Sequence, residues 1–469
     1  MNEIKGNNEI LGIRHSKKNM FSYSSGFFIN EFIQGVLIFL LFFFYEVEIG
    51  LSAWMTGLGL IIYAVWDAFN DPILGYLSDR PFRFTKKWGR RFPWIVVGFI
   101  PMLISFLLIF NPPNVSAQEQ PWIIFGWLVF TLCLFDTCET IMTMNYFSLY
   151  PDKFRSDEER RNVSQISIYI GIIGVVFANL VPPMIIIFGN LGSYALMAWI
   201  CVAINFFIFF LMIPGIRDDK ETVETYLASY EKQEKEPFFK TLKTASKHKS
   251  LVAFLIFYCL YLNLTNMVQA SFLYWIKFII IGDISDVFYV MVLLLVGVMV
   301  GIPLWMYYNK KSGDNHRKTM IYAAIALMVL TVFFTVITNL STLLILVFIW
   351  GMALGGFWTI YYVVFSDVID EAIVETGIRQ EGFYQGLRRF FGNIAKVITA
   401  FYIAAVHELT GFNESANTQT PLANTGILLL FGIIPSITMA VGFLVFWKHY
   451  DITPEKSKMI KEKLLQLNN

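Results

Sequence analysis

The chain has 469 residues, of which 56% are hydrophobic and 15% are charged, and its formal net charge is +1. A soluble domain carries roughly 25% charged residues, so this composition excludes an ordinary soluble protein and predicts one with many membrane-spanning segments. The net charge identifies no partner by itself, and we expect membrane lipid, not nucleic acid, around the protein.

Apolar runs long enough to cross a bilayer occur about twelve times along the chain. The hydrocarbon core is about 30 Å thick, and a helix rises about 1.5 Å per residue, so a run of about 20 apolar residues is long enough to cross it. The predicted helices 1 to 12 cover residues 22–45, 52–78, 92–111, 121–150, 163–188, 194–214, 250–278, 286–309, 319–338, 341–366, 382–408 and 423–448. The pattern therefore predicts an all-α membrane protein.

A long polar stretch interrupts the series after predicted helix 6. It divides the chain into an N-terminal six-helix bundle (1–216), a central loop (217–249), a C-terminal six-helix bundle (250–450) and a tail (451–469). Lys and Arg cluster in the central loop, the tail and the loops after predicted helices 2 and 8, whereas the loops of the opposite side have none. By the positive-inside rule, the central loop, the tail and both termini are predicted to be cytoplasmic.

The two halves resemble each other in where their charges fall. A charged cluster at 75–91 has a weaker counterpart at 309–314, and a segment of mixed charge at 151–162 is matched at 367–381. Charge clusters recur at helix ends in any protein with many spans, but two agreements in position favour a repeat. A repeat of six helices is typical of the major facilitator fold, whose binding site lies near the bilayer midplane.

The sequence lacks the common short motifs of soluble enzymes. It has no P-loop, nucleophile elbow, zinc-ligand spacing or nucleotide-binding glycine fingerprint. Its four cysteines fall within apolar segments and favour neither disulfides nor metal binding. The polar residues 1–19 lack the pattern of a cleaved signal peptide. We therefore expect a protein that is not an enzyme and carries no cofactor.

Two carboxylates stand inside predicted helix 2. Asp67 and Asp71 are four residues apart on one helical face, with Asn70 beside them. Counted from the charged turn at Asp79, Asp67 lies roughly 18 Å deep, near the middle of the hydrocarbon layer. A charge there costs on the order of 2.5–3.5 kcal/mol, so it must meet water, a cation or a basic side chain. The pattern predicts a site for a coupling cation, with ion pairing between helices as the alternative.

Predicted helices 4, 7 and 11 also carry polar groups at membrane depth. The patch on predicted helix 4 consists of Asp136, Glu139 and Thr140. The basic groups on predicted helix 11 are Arg388, Arg389 and Lys396. They could neutralise the acids in a network that rearranges during gating, or form static ion pairs. The stripe Asn263, Asn266 and Gln269 on predicted helix 7 is expected to line the pathway, with bonding to a neighbouring helix as the alternative.

Charged residues at the cytoplasmic helix ends are predicted to act as gates. Asp79 can pair with Arg90 and Arg91, and Asp370 can pair with Arg379. Breaking these pairs would free the cytoplasmic ends of the helices. The alternative is that the basic residues only determine topology.

The segment Asp67-Ala-Phe-Asn70-Asp71-Pro72-Ile-Leu-Gly75, followed by Arg80 and Trp88-Gly-Arg90-Arg91, resembles the glycoside–pentoside–hexuronide:cation symporter family. This family, typified by melibiose permease, belongs to the major facilitator superfamily. The likeness continues in Phe147-Ser-Leu-Tyr150-Pro151, Trp358, Asp367-Val-Ile-Asp370 and Thr376-Gly-Ile-Arg379-Gln-Glu381-Gly382, and so covers nearly the whole chain.

The resemblance implies a cation site on predicted helix 2. The family's two aspartates correspond to Asp67 and Asp71, with Asn70 nearby, and its helix 4 threonine corresponds to Thr140. The coupling ion would be Na⁺, Li⁺ or H⁺. A hard cation such as Na⁺ prefers oxygen ligands, and two carboxylates can also share a proton.

The resemblance implies a solute site with several departures from the family pattern. Glu31 stands where the family has a shorter aspartate, and it shares a helical face with Gln34. Three other positions differ from the family pattern: Thr143 replaces an aspartate, Phe147 replaces a stacking tryptophan, and Asn393 replaces a lysine. Trp358 matches the family's aromatic residue, and Lys396 lies one turn from Asn393. These departures argue against melibiose but keep a sugar or glycoside as the expected class of solute.

The sequence thus predicts a monomeric, cation-coupled (Na⁺ or H⁺) symporter of a sugar or glycoside that works by alternating access. One alternative is a lysophospholipid symporter of the same fold, because vertebrate lysolipid carriers resemble this family. The other is a membrane sensor or scaffold that does not transport, in which the helix 2 acids would be dispensable.

Overall fold

The structure is a computed structural model that describes residues 15–78, 88–154, 157–217, 248–376, 381–414 and 416–467. Within these ranges every regular element is a helix. A backbone surrounded by lipid must satisfy its own hydrogen bonds, and a helix does so within one apolar segment. The described part of the chain therefore has the helical class predicted from its composition.

The helices of the first part of the chain are α1 (Lys17–Phe43), α2 (Ala53–Ser78), α3 (Phe92–Ile109), α4 (Pro121–Lys153), α5 (Asp157–Ile185) and α6 (Leu191–Ile216). Those of the second part are α7 (Lys249–Tyr274), α8 (Ile284–Lys311), α9 (His316–Phe333), α10 (Leu340–Thr376), α11 (Glu381–Thr410), α12 (Pro421–Phe431), α13 (Ile433–His449) and α14 (Pro454–Leu467). Short turns of other types follow three helices: π-helical Phe44–Glu48 after α1, π-helical Trp275–Ile280 after α7, and 3-10 helical Phe334–Val336 after α9.

Among the described residues, eleven helical segments are long and apolar enough to cross a membrane. The helix α2 is not one of the eleven, yet its 26 residues reach about 39 Å, more than the hydrocarbon thickness. The predicted fold class, an all-α protein with many membrane spans, is confirmed.

The structure differs from the predicted spans at three places. Residues 46–50 were expected to be a loop, but α1 continues through the buried turn Phe44–Glu48. The last span is broken at Gly432, where a Cβ atom would lie 2.0 Å from Oγ1 of Thr335. The predicted tail contains the helix α14.

Contacts between residues divide the chain into two compact units. Unit 1 comprises Met1–Leu37 and Val65–Glu234, and unit 2 comprises Ile38–Ala64 and Lys235–Asn469. The helices α1 and α2 therefore each contribute residues to both units.

Small residues allow close helix packing in unit 1. A Cβ atom on Gly215 of α6 would lie 2.0 Å from the backbone nitrogen of Tyr23 of α1. On α3, Gly98 also lies close to α4, where its Cβ would be 2.7 Å from the backbone nitrogen of Met142. Close backbone approach of this kind is how helices associate where lipid and protein are equally apolar.

Unit 2 contains a crossing made by four glycines. Gly297 and Gly301 on α8 face Gly351 and Gly355 on α10. Each pair has the Gly-x-x-x-Gly spacing that lets two helical backbones touch. Added Cβ atoms would lie 2.2 to 2.7 Å from carbonyl oxygens of the facing helix. Substitution here cannot be absorbed by moving a side chain.

The tail helix α14 is attached to α10 by polar contacts. The Nζ atom of Lys456 lies 2.5 Å from Oε1 of Glu371 and 2.7 Å from Oδ1 of Asp451. The next residue, Ser457, donates from its hydroxyl to Oδ1 of Asp367, one turn before Glu371 on α10, at 3.1 Å. Burial alone would raise the pKa of the Asp451 carboxyl, but the hydrogen bond and charge of Lys456 outweigh it and hold that pKa below its usual value.

We expect Asp451→Asn to lower the free energy of unfolding by less than about 1 kcal/mol, and so to lower the thermal unfolding midpoint only slightly, because Asp451 is mostly exposed. A depressed carboxyl pKa contributes stability above the pKa of the unfolded chain, about 3.9, and loses it as the pH falls through the folded value. The difference from wild type should therefore be constant near neutral pH and shrink below about pH 4. Scanning fluorimetry across this range, with the exposed Glu462→Gln as control, checks it; a difference that persists in acid contradicts it.

Candidate functional site

The helices α2 and α4 of unit 1 present a cluster of acidic and polar side chains to each other. On α2 the cluster consists of Asp67, Asn70 and Asp71, and on α4 of Asp136, Glu139 and Thr140. Both sets have i, i+3, i+4 spacing, so each lies on one helical face. All of them except Asp71, which is half-buried, are buried, with exposed fractions of 7% or less.

Hydrogen bonds join the two helices within this cluster. The hydroxyl of Thr140 donates to Oδ1 of Asp71 at 2.9 Å. The amide nitrogen of Asn70 donates to Oδ2 of Asp136 at 3.1 Å. One turn earlier on α2, the indole nitrogen of Trp66 donates to the Thr137 hydroxyl at 3.0 Å. The four side chains predicted to bind the cation thus lie in one cluster, and Asp136 belongs to it as well.

The electrostatics of the cluster favour a bound positive charge. Asp136 lies next to both Asp67 and Glu139. Carboxylates grouped in a low-dielectric interior repel one another, so the group must hold protons or a cation. Within the described residues no three acidic, histidine or cysteine side chains converge as a metal site.

The predicted solute-binding residues of unit 1 lie on α1 and α4. Glu31 and Gln34 are half-buried. Glu31 accepts a hydrogen bond from Nδ2 of Asn30 at 3.2 Å and packs beside Gly174 of α5. On α4, Thr143 is buried, whereas Phe147 is 36% exposed.

The predicted solute-binding residues of unit 2 lie on α10 and α11. The indole nitrogen of Trp358 donates to the hydroxyl of Tyr261 at 2.9 Å. This bond sets the plane of the indole, and Tyr261 is itself stacked on Phe357 at 3.4 Å between ring centroids. Asn393 and Lys396 are half-buried on α11.

An arginine of unit 2 is surrounded by aromatic rings. Nη1 of Arg388 donates to the hydroxyls of Tyr258, at 3.3 Å, and Tyr361. Its guanidinium carbon lies 5.7 to 5.9 Å from the ring centroids of Tyr258, Tyr361 and Phe365. A guanidinium oriented in this way is suited to an anionic group. The aromatic frame was not predicted, because Tyr258 and Tyr361 are far from Arg388 in the sequence and no spacing links the three residues.

The predicted gate residues are only partly described. Arg91 is buried and donates from Nη1 to Oδ1 of Asn145 at 3.1 Å, which ties the start of α3 to α4. Arg90, Asp370 and Arg389 are half-buried. Asp79 and Arg379 lie outside the described residues, so the two proposed gate pairs stay predictions.

One residue expected to line the pathway has another role. Asn263 of α7 is fully buried. Its amide nitrogen donates to Thr399 of α11 at 3.0 Å, and its carbonyl oxygen accepts from Thr438 of α13 at 3.0 Å. Because both ends of the amide bond to neighbouring helices, Asn263 joins helices and does not line a pathway.

The comparisons with known proteins agree over nearly the whole chain. A family model described as MFS/sugar transport protein matches residues 22–454. An uncharacterized symporter of Bacillus subtilis, YjmB, is 24% identical and covers 97% of this chain and 96% of its own length. The isoprimeverose transporter of Lactiplantibacillus pentosus is 22% identical, with 96% and 92% covered. The sodium-dependent lysophosphatidylcholine symporter 1-A of Danio rerio is 23% identical, with 87% and 80% covered.

Solved structures with the same fold include the nucleoside transporter NupG. The match has a TM-score of 0.60 at 16% identity and covers 92% of this chain and 99% of that one. A bacterial homologue of the human drug peptide transporters matches with a TM-score of 0.58 at 13% identity, covering 97% and 100%. At these identities the likeness concerns the fold alone.

Proposed function

We propose that this chain, which belongs to the family of MFS/sugar transport proteins, couples the movement of a sugar or glycoside to that of Na⁺. As a member of this family it is an integral, multi-pass membrane protein and a symporter of the major facilitator type. The choice of Na⁺ and of a sugar is our inference.

The single observation that carries the cation site is the bond between Thr140 and Asp71 inside the acidic cluster of α2 and α4. It places a neutral hydroxyl oxygen beside a carboxylate, as a hard monovalent cation requires. Asp67 stands one turn before Asp71 on the same face. Sodium-dependent relatives support Na⁺ over H⁺ as the coupling ion.

A sugar or glycoside is the solute that the family description and the isoprimeverose transporter support. We assign its contacts to Glu31, Gln34, Thr143 and Phe147 of unit 1. In unit 2 we assign Trp358, Asn393 and Lys396. Hydroxyl-rich solutes need carboxylate and amide partners together with an aromatic face, and these side chains supply both.

A lysophospholipid is the second candidate. The observation that favours it is Arg388, whose guanidinium is framed by Tyr258 and Tyr361. A phosphate diester is an anion to which a guanidinium can donate two parallel hydrogen bonds. The relatives named as lysophosphatidylcholine symporters support this candidate as well.

The coupling follows from the charge of the cluster. Without a cation, the carboxylates of α2 and α4 repel each other. An ion bound at Asp67 and Asp71 cancels part of this repulsion and draws the two helices together. Coupled transport then requires that the solute bind more tightly to the cation-loaded protein. It also requires that the protein change the side to which it opens when both sites are occupied or both are empty, and not when the cation alone is bound.

Solute uptake into proteoliposomes under an imposed gradient tests the proposal. We expect a glycoside such as isoprimeverose to accumulate under an inward Na⁺ gradient and not when K⁺ replaces Na⁺. Lysophosphatidylcholine in the same assay tests the second candidate. Asp71→Asn should abolish accumulation while downhill exchange continues, and the exposed loop variant Glu119→Gln should behave as wild type.

Three outcomes would contradict parts of the proposal. Unchanged accumulation in Asp71→Asn would remove the coupling role of the cluster. Accumulation driven only by a pH gradient would replace Na⁺ by H⁺. Folded protein that accumulates no solute under any gradient would favour a sensor or scaffold.

A further inference from the structure

Unit 2 contains a buried group of polar side chains that the proposed transport mechanism does not use. Glu46 lies in the π-helical turn Phe44–Glu48 that follows α1, and it is completely buried. Tyr274 at the end of α7 and His407 in the last turn of α11 lie against it. His407 is 1% exposed.

Both oxygens of Glu46 have a partner. Oε1 lies 2.7 Å from Nδ1 of His407, and Oε2 accepts a hydrogen bond from the Tyr274 hydroxyl at 2.5 Å. The His407 ring is stacked on Phe412, with 4.3 Å between centroids, which holds its plane. Its other nitrogen, Nε2, is buried and has no hydrogen-bond partner among the described protein atoms.

The charges around the pair come from four elements. Glu48, in the same turn as Glu46, accepts from Nζ of Lys277 at 3.0 Å. Glu414, in the segment after α11, lies close to Glu46 and Glu408. Burial, together with the charge of Glu46, raises the pKa of the Glu414 carboxyl.

The sum of these charges is what makes a proton necessary. Glu48 and Lys277 cancel each other, and Glu414 adds further negative charge whenever it is ionised. An ionised Glu46 beside a neutral His407 therefore leaves at least one negative charge in the interior. A buried charge without a counter-charge is expensive. One added proton removes it, if that proton is shared between Oε1 and the Nδ1 atom of an imidazole whose own hydrogen is on Nε2. Histidine is the side chain whose charge ordinarily changes between pH 5 and 8.

We propose that Glu46, His407 and Tyr274 form a proton-binding site, in which one proton is shared between the imidazole and the carboxylate. The site shares no residue with the acidic cluster of α2 and α4, and it does not depend on sodium coupling. The occupied site fastens the turn Phe44–Glu48 to α7 and α11. Proton loss leaves Glu46 uncompensated and weakens this attachment.

Hydrogen exchange of the peptide covering residues 38–52 tests the proposal on the whole protein. After correction for the intrinsic rate, exchange of the wild type should rise about tenfold between pH 5.5 and pH 8.5, because proton loss weakens the attachment of the turn Phe44–Glu48. Glu46→Gln keeps both hydrogen bonds but carries no charge, so its exchange should not change with pH. The exposed His449→Gln should follow the wild type.

The wild type alone can overturn the proposal, by showing the same corrected exchange at both pH values. A Glu46→Gln protein whose exchange rises as steeply as that of the wild type overturns it as well. Should Glu46→Gln not fold, His407→Gln replaces it, because it retains a donor toward Glu46 and is expected to flatten the pH dependence.

Discussion

Sodium ions are expected to raise the thermal unfolding midpoint of the wild-type protein at constant ionic strength, and Asp71→Asn to abolish this rise. A ligand that binds only the folded state stabilises it by RT ln(1 + [L]/Kd), about 2.7 kcal/mol when its concentration is a hundred times Kd. Asp71 supplies a carboxylate oxygen and holds the Thr140 hydroxyl at 2.9 Å. Replacing the carboxylate by an amide removes the charge that pairs with the ion. Scanning fluorimetry of purified protein in NaCl, with choline chloride as the balancing salt, measures the effect without any known solute.

Two further variants make this measurement specific. Thr140→Ala removes one neutral oxygen and leaves the carboxylates, so it should weaken the sodium effect without abolishing it. Glu119→Gln, in an exposed loop, should leave the effect unchanged. A sodium-dependent rise of equal size in wild type and Asp71→Asn would place the ion elsewhere.

The second large effect is expected for Gly301→Leu, at the crossing of α8 and α10. A Cβ atom on Gly301 would lie 2.3 Å from the carbonyl oxygen and 2.7 Å from the Cα atom of Met352. Both atoms belong to a helix backbone, so the two helices must separate along their length. Overpacking typically costs about 1–3 kcal/mol, and the rigid backbone should bring this variant to the upper end or beyond. The thermal midpoint and the yield of monodisperse protein in detergent measure the loss.

The matched control is Gly126→Leu on α4, where an added Cβ meets nothing within 4 Å. This variant should keep the wild-type midpoint, because the new side chain points into open space. Gly301→Ala should lie between the two, since it adds the Cβ alone. Equal midpoints for Gly301→Leu and Gly126→Leu would show that the close crossing of α8 and α10 does not stabilise unit 2.

The membrane class and the family could be predicted from the sequence, and both are confirmed. Apolar runs are sufficient for the class because lipid forces each of them to become a helix. The family rested on the helix 2 segment around Asp67 and Asp71 and on the charged loop that follows it. The assignment of individual site residues stays a prediction, although the structure places Thr140 in contact with Asp71 as the cation site requires.

What the sequence determined by itself was therefore local: which segments cross the membrane and which of them carry charge. Only the tertiary structure decided how distant segments pair. Glu46 stands at the end of an apolar run, where an acid ordinarily meets water, and its partner His407 is 361 positions away. Nothing periodic links two such residues, and the same holds for Arg388 with Tyr258 and for the glycines of α8 and α10. The physical reason is that a buried acid is costly without a hydrogen-bonding or charged partner, whereas the packing of the helices decides which residue lies within 3 Å of it.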